Sequence, residues 1–229
     1  MRFDRFEKLI GKDRLQVLSH QTIAVFGLGG VGSYVVEALA RSGIRKLIIC
    51  DFDRVEITNI NRQLIALEST LDQLKTDVVE ERIRDINPEA TVLSFSVKAD
   101  ETIIRDILAM EPDYVVDAID DVFAKVTLIK AAIEKDIPIV SSMGFANKLH
   151  PEMIAMTTMD KTSVDPLAKV MRKRLKDEGV SLDFQVAYSK ETPIKPEVDG
   201  VLASSAFCPS VAGLMIAAHV VNHIIGELS

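Results

Sequence analysis

Three glycines at a fixed spacing, Gly27, Gly29 and Gly32, lie in "VFGLGGVGS", between a run of apolar β-formers and a helical pattern. Each has a physical use: the first permits a tight turn, the second lets backbone approach a phosphate, and the third lets helix and strand pack closely. Gly30 belongs to the same turn. Amides at the helix N-terminus then favour an anion. Asp51 ends the next apolar run, where a carboxylate can bind ribose hydroxyls. To this point NAD and ATP fit equally well.

The residues after Asp51 separate them. "DFDRVEITNINRQL" gathers Asp53, Asn59 and Arg62, with Lys75 shortly after and Asp120 further on. Hydride transfer needs a flat apolar slot, whereas phosphoryl and nucleotidyl transfer need cations around the triphosphate and a carboxylate for magnesium. Arg62 and Lys75 offer the cations, and Asp120 the carboxylate. Each residue also has an ordinary alternative: a surface ion pair for Arg62, a solvated helix position for Lys75, a turn for Asn59, a helix N-cap for Asp120. Their joint order behind a glycine turn favours the triphosphate site.

These residues need a scaffold that presents them together. "TIAVFG", "KLIICDFD", "TVLSFSV", "YVVDAID" and "IPIVSSMG" read as strands, with helical patterns over residues 31–42, 73–86, 101–110 and 121–135. Nearly continuous apolar strands imply a sheet covered on both faces. The fold class is therefore α/β, a Rossmann-like, doubly wound, mostly parallel sheet, in which ligands bind at the carboxyl ends of the strands. Residues 1–150 form the nucleotide-binding region. After that the alternation weakens, and residues 151–229 read as a C-terminal substrate and dimer-contact region of the same domain, continuous with the sheet. The loop "SKETPIKPEVDGVLASS" reads as mobile and able to cover a substrate.

Composition narrows the class. The chain has 229 residues, 48% of them hydrophobic, enough for one sizeable core. With only two cysteines, neither a disulfide framework nor a four-cysteine zinc site can be built in one chain. The charged start "MRFDRFEKLIGKDRL" lacks a signal-like apolar core, so a cytoplasmic location is expected. "VAGLMIAAHVVNHIIGEL" barely reaches membrane-spanning length and is interrupted by His219, Asn222 and His223, so a buried or interface helix is expected and no membrane partner. A net charge of −7 argues against nucleic-acid binding through overall charge, but leaves room for a local basic face.

"RFDR", "GLGGVGS", "DFDRVEITNINRQ", the lysine of "LKTDVV" and "DAIDD", in this order, resemble the ThiF/MoeB/HesA superfamily of ATP-dependent adenylating enzymes, across most of residues 2–121. The resemblance implies that the Gly27–Gly32 turn and Asp51 bind ATP, with Asp53 in the same acidic stretch. It implies that Asn59, Arg62 and Lys75 surround the phosphates and that Asp120 holds Mg2+. It also implies that Arg5 reaches an ATP site, in many relatives that of a partner subunit, and hence a homodimer. Members that activate a sulfur-carrier or ubiquitin-like protein at its C-terminal glycine commonly carry two Cys-x-x-Cys pairs, absent here. "DPLAKVMRKRLKDEGV", "FQVAYSKETPIKP" and "SSAFCPSVAGLMIAA" are instead similar to the bacterial tRNA threonylcarbamoyladenosine dehydratases. That family adenylates a threonylcarbamoyl carboxylate on a tRNA adenosine and closes a ring with loss of water. Protein activation is the alternative. A monovalent cation near the nucleotide and a cysteine desulfurase or sulfur-acceptor partner are left open.

Lys169, Arg172, Lys173 and Lys176 recur at three- and four-residue spacing and share a helix face, a stripe suited to an RNA backbone. The plain alternative is a solvated face balanced by Asp177 and Glu178. Cys208 stands near a helix start, where amides can lower a thiol pKa, but ring closure needs no thiol, so packing is expected of it and of Cys50. His219 and His223 have metal-binding spacing without further ligands nearby, so packing or an interface is expected there too.

Overall fold

The computed structural model describes residues 2–195, 197 and 202–226. Seven strands form one sheet: β1 (Thr22–Phe26), β2 (Lys46–Cys50), β3 (Thr91–Phe95), β4 (Tyr114–Asp117), β5 (Ile139–Ser142), β6 (Ile154–Thr158) and β7 (Gln185–Ser189). The order is β3-β2-β1-β4-β5-β7-β6, and every pairing is parallel except that of β6 with β7. β1 therefore lies between β2 and β4, and the chain winds outward in opposite directions from that pair. This is the topological switch point of a doubly wound sheet, where a crevice opens at the carboxyl ends of the strands. The β-branched runs read from the sequence supply the central strands, and β4 and β5 are buried at every position.

Helices cover both faces. α3 (Gly32–Arg41), α4 (Lys75–Ile86) and α8 (Phe207–Ile225) enclose one core, and α5 (Glu101–Leu108), α6 (Val122–Glu134) and α7 (Pro166–Asp177) the other. α3 buries Val35, Val36, Leu39 and Ala40, one stripe at helical spacing. α8 lies close against its start: a Cβ on Gly213 would come within 2.5 Å of the Val31 carbonyl oxygen. α5 and α6 start where Asp100 and Asp121 accept hydrogen bonds from Ile103 N (2.9 Å) and Ala124 N (2.8 Å).

The sequence reading missed α1 (Asp4–Ile10) and α2 (Lys12–His20), which meet at Gly11 with φ +89°. Ile10 alone is buried in α1 and Leu18 alone in α2, too little apolar periodicity to register in a charged stretch. The helix expected over 73–86 begins at Lys75, because Asp72 to Leu74 double back on the segment after β2: Arg54 and Leu74 form an antiparallel bridge.

The C-terminal part extends the same sheet, with β7 beside β5 and β6 at the edge. α8 has the length and hydropathy to cross a membrane, but it packs Cys208, Ala212, Ile216, Ala217, Val220 and Val221 into the core. Of the loop over 189–205, for which the sequence predicts mobility, residues 196 and 198–201 lie outside the described residues. Its described ends are tied down: Asn147 N donates to the Ala203 carbonyl (2.7 Å) and Ile194 N to the Asn147 carbonyl (2.8 Å).

Candidate active site

A cavity of about 750 Å³ opens at the switch point. Its first half is the glycine turn after β1. Gly27 has φ +87°, and a Cβ there would come within 2.5 Å of the Ala118 carbonyl oxygen, because the turn crosses the end of β4. A Cβ on Gly32 would sit 1.8 Å from the Gly27 carbonyl oxygen, so helix and strand approach as the motif demands. At Gly29 the nearest neighbour of such an atom would be Gln63 Nε2, 3.8 Å away, which leaves the backbone open to a ligand. Ser33 Oγ donates to the Gly29 carbonyl (2.7 Å) and holds the turn.

Asp51 is engaged by backbone donors on both sides. Its Oδ2 accepts from Leu28 N (2.6 Å) and its Oδ1 from Asp53 N (2.8 Å), so the carboxylate fastens the glycine turn to the loop after β2. Burial pushes its pKa up, opposed by the charge of Lys75 and by these two amides. Lys75, the first residue of α4, buries its stem and pairs with Asp53 at 2.7 Å, while Asp53 is half exposed. Its alternative as a solvated helix residue fails on that burial. Asn59 is also buried, its Oδ1 accepting from Glu56 N (3.1 Å). Arg62 donates to the Thr58 carbonyl (2.8 Å) and to Asn61 Oδ1 (3.0 Å) beside Gly30. Asp51, Asp53, Asn59, Arg62, Lys75 and Asp120 all line the one cavity.

Asp120 lies beyond the strand in which it was expected, because β4 ends at Asp117. The N-cap role falls to Asp121, leaving Asp120 exposed at the cavity wall. Arg5 is exposed on α1 and is not among the residues lining the cavity of its own chain.

Sequence reasoning missed the groups that shape the second half. Lys125 and Asp117 form a fully buried ion pair at 2.9 Å. Lys125 Nζ also donates to the carbonyls of Ile119 (3.0 Å) and Ser142 (2.8 Å), tying the loop that carries Asp120 to the end of β5. Ser141 Oγ and Ile119 N complete the carboxylate of Asp117. A buried charge is tolerated only when its hydrogen bonds are satisfied in this way. Lys148 makes a second buried pair with Asp165, at 2.5 Å. The one sequence signal was Lys125 within the apolar run "VFAKVTLI". Gln63, next to Arg62, lines the cavity with its Oε1 buried and without a hydrogen-bond partner among the described residues.

α7 begins at the cavity, where Asp165, Pro166 and Leu167 form part of the wall. Lys169, Lys173 and Lys176 are exposed along it. Arg172 is not equivalent: it is half-buried, and its guanidinium donates to the carbonyl (2.9 Å) and hydroxyl of Thr162. The outward stripe is thus three lysines, with Arg174 on another flank.

Cys208 is buried and outside the cavity lining, and burial raises its pKa against the lowering effect of a hydrogen bond with Ser205. Burial pushes the Cys50 thiol up to about 12. His219 and His223 pack edge-on against Tyr114. Among the described residues no cluster of three or more His, Cys, Asp or Glu is positioned to hold a metal.

Comparison with known proteins identifies relatives of the same fold. The ThiF family model matches residues 4–228. The tRNA threonylcarbamoyladenosine dehydratase of Bacillus subtilis (strain 168) is 42% identical, over 99% of this chain and 95% of the relative. That of Escherichia coli (strain K12) is 38% identical, over 89% and 78%. The crystal structure of the E. coli tRNA N6-threonylcarbamoyladenosine dehydratase in complex with AMP superposes with a TM-score of 0.94 at 35% identity, covering 98% of this chain and 94% of that one. E. coli MccB with ATP, at 22% identity and a TM-score of 0.70, shares the fold alone. With its glycine turn, its acidic and cationic cavity and this near full-length match, the chain belongs to the ThiF family.

Proposed function

We propose that this protein is an ATP-dependent tRNA threonylcarbamoyladenosine dehydratase: it adenylates the threonylcarbamoyl carboxylate of a modified tRNA adenosine and then promotes cyclising loss of water. The observation that carries this reading is the single cavity in which the open glycine turn, Arg62, the Lys75–Asp53 pair and Asp120 converge, with the basic helix α7 starting from its rim. The relatives named as dehydratases match almost the whole chain, and solved relatives hold ATP and AMP.

A carboxylate is a poor electrophile until one of its oxygens belongs to a good leaving group. The glycine turn and the N-terminus of α3 would hold phosphate oxygens, and the spare lone pairs of Asp51 would accept from the ribose hydroxyls. Arg62 and Lys75 would offset the negative charge that grows as the substrate carboxylate oxygen bonds to the α-phosphorus and pyrophosphate leaves. An internal nitrogen or oxygen of the same substrate then attacks the acyl carbon. AMP departs with the former carboxylate oxygen, so the substrate loses one water overall while ATP becomes AMP and pyrophosphate. Orientation within the cavity supplies this second step, and no protein thiol is needed.

The residues fit magnesium as well. Mg2+ is usually held by one or two carboxylates together with substrate phosphates, and Asp120, exposed at the cavity wall, meets that need. The ion would neutralise charge on the leaving pyrophosphate. We further propose a homodimer in which Arg5 serves the partner's cavity, since it does not line its own, and a cytoplasmic location alongside tRNA.

The test is to incubate the protein with threonylcarbamoyl-modified tRNA, ATP and magnesium, digest the RNA and weigh the nucleosides. A modified adenosine lighter by one water, with AMP released in step, is expected. If its mass never changes and AMP release stays at background, the proposal is wrong. AMP release stimulated only by a small protein ending in Gly-Gly would establish carrier-protein activation instead.

A further inference from the structure

A second part of the cavity lining is built from the segment after β5, Gly144 to Lys148, the start of α7 and the loop that precedes α8. Lys148 stands where these three meet. Its side chain is 1% exposed, and its Nζ donates to the Gly144 carbonyl (2.7 Å) and to Asp165 Oδ2 (2.5 Å). Asp165 divides its carboxylate: the other oxygen, Oδ1, accepts from Ala168 N (2.8 Å) and caps α7. The Lys148 backbone carbonyl accepts from Ser205 Oγ (3.2 Å). Its neighbour Asn147, at φ +60°, holds Ala203 through both backbone and side chain. On the other side, Glu191 accepts from Leu149 N and His150 N.

Burying this pair is costly unless its geometry is maintained, so the network has a preferred arrangement and resists sliding. Among the described residues no hydrogen bond joins Lys148 or the Asp165 side chain to the glycine turn, Arg62 or Lys75; the loop between Ala203 and Ser205 meets the other part of the cavity at Asn61, whose Nδ2 donates to the Ser204 carbonyl (3.0 Å) and whose Oδ1 accepts from Arg62 (3.0 Å).

We propose that Lys148, through its pair with Asp165, is the positioning residue of the acceptor half, registering the cavity wall against α7 so that a tRNA lying on Lys169, Lys173 and Lys176 delivers its modified adenosine to the reacting end. This inference rests on the tRNA dehydratase reading of the site. It separates two tasks in one cavity: nucleotide binding belongs to the glycine-turn half, and delivery of the acyl substrate to the Lys148–Asp165 half.

Lys148→Met alone strands the Asp165 charge and can fail to fold, so the decisive variant is Lys148→Met with Asp165→Asn. It removes both charges, and asparagine still caps a helix. Wild type and double variant are assayed together for ATP affinity, for KM and kcat on modified tRNA, and for the salt dependence of tRNA binding. The expected result is ATP affinity unchanged within about threefold, a KM for modified tRNA raised by about tenfold or more, and an unchanged slope of log Kd against log salt, because the phosphate-contacting lysines remain. A double variant that folds and turns over modified tRNA with wild-type KM and kcat overturns the proposal. So does equal loss of ATP and tRNA binding, the mark of a general structural role. Failure of the wild type to dehydrate modified tRNA would instead refute the functional reading.

Discussion

Replacing Lys75 by methionine separates catalysis from stability in this site. Methionine keeps an unbranched stem of similar length, so the buried packing at the start of α4 is largely retained and the ammonium alone is lost. The salt bridge that goes with it has one half-exposed member, Asp53, which stays solvated. Such pairs contribute about 0–1 kcal/mol, and in a chain of this size 1 kcal/mol moves Tm by roughly 2–4 °C. A lost donor to developing transition-state charge, by contrast, costs about 10²–10³ in rate, or roughly 3–4 kcal/mol. Lys75→Met is therefore expected to keep its Tm within about 4 °C of wild type while pyrophosphate release at saturating ATP falls at least about a hundredfold. Asp51 gives a second readout. Lys75 opposes the upward push of burial on that carboxyl, so in the variant Asp51 protonates at higher pH and ATP affinity begins to fall at a higher pH on the acid side. Pyrophosphate release within about tenfold of wild type, in a folded variant, would show that Lys75 does not serve the phosphates.

Asp120→Ala should reduce magnesium-dependent pyrophosphate release by about a hundredfold or more with little change in Tm, because the side chain is exposed and makes no hydrogen bond or ion pair among the described residues; a Tm loss matching the activity loss would contradict this. Cys208→Ala should retain substantial dehydratase activity; its complete loss in a folded protein would assign the thiol a chemical role. Charge reversal at Lys169 and Lys173 should weaken tRNA binding and flatten its salt dependence without changing ATP affinity, whereas Arg172→Met should chiefly lower Tm, since that guanidinium is bound to Thr162. Burial, aided by the neighbouring His223, lowers the pKa of His219. The unfolded chain then takes up a proton that the folded ring resists, so this contribution to stability is present above about pH 6.5 and is lost as pH falls through the lowered folded value. Between pH 7.5 and 5.5 the urea midpoint should fall less in His219→Leu than in wild type, and an equal fall would remove His219 as the cause.

The sequence by itself determined the central architecture and the nucleotide half of the site. Glycine spacing encodes a turn within a few residues, alternation and apolar runs mark strands, and Asp51, Asn59, Arg62 and Lys75 come soon enough after the turn for the same local segment to carry them. The structure brought all of these, with Asp120, to one cavity. Only the tertiary structure decided the buried ion pairs that hold the cavity wall. A lysine in a helical or loop pattern reads as solvated, and nothing local shows that Lys125 meets Asp117 across the β4–β5 edge or that Lys148 meets Asp165. The topology of the sheet brings those partners together, and burial then makes each charge depend on the other. The same holds for Arg172, which spacing placed on an outward stripe and Thr162 turned to an inward task. Local chemistry is written in residue order, whereas the pairing of buried charges depends on which strands and helices become neighbours.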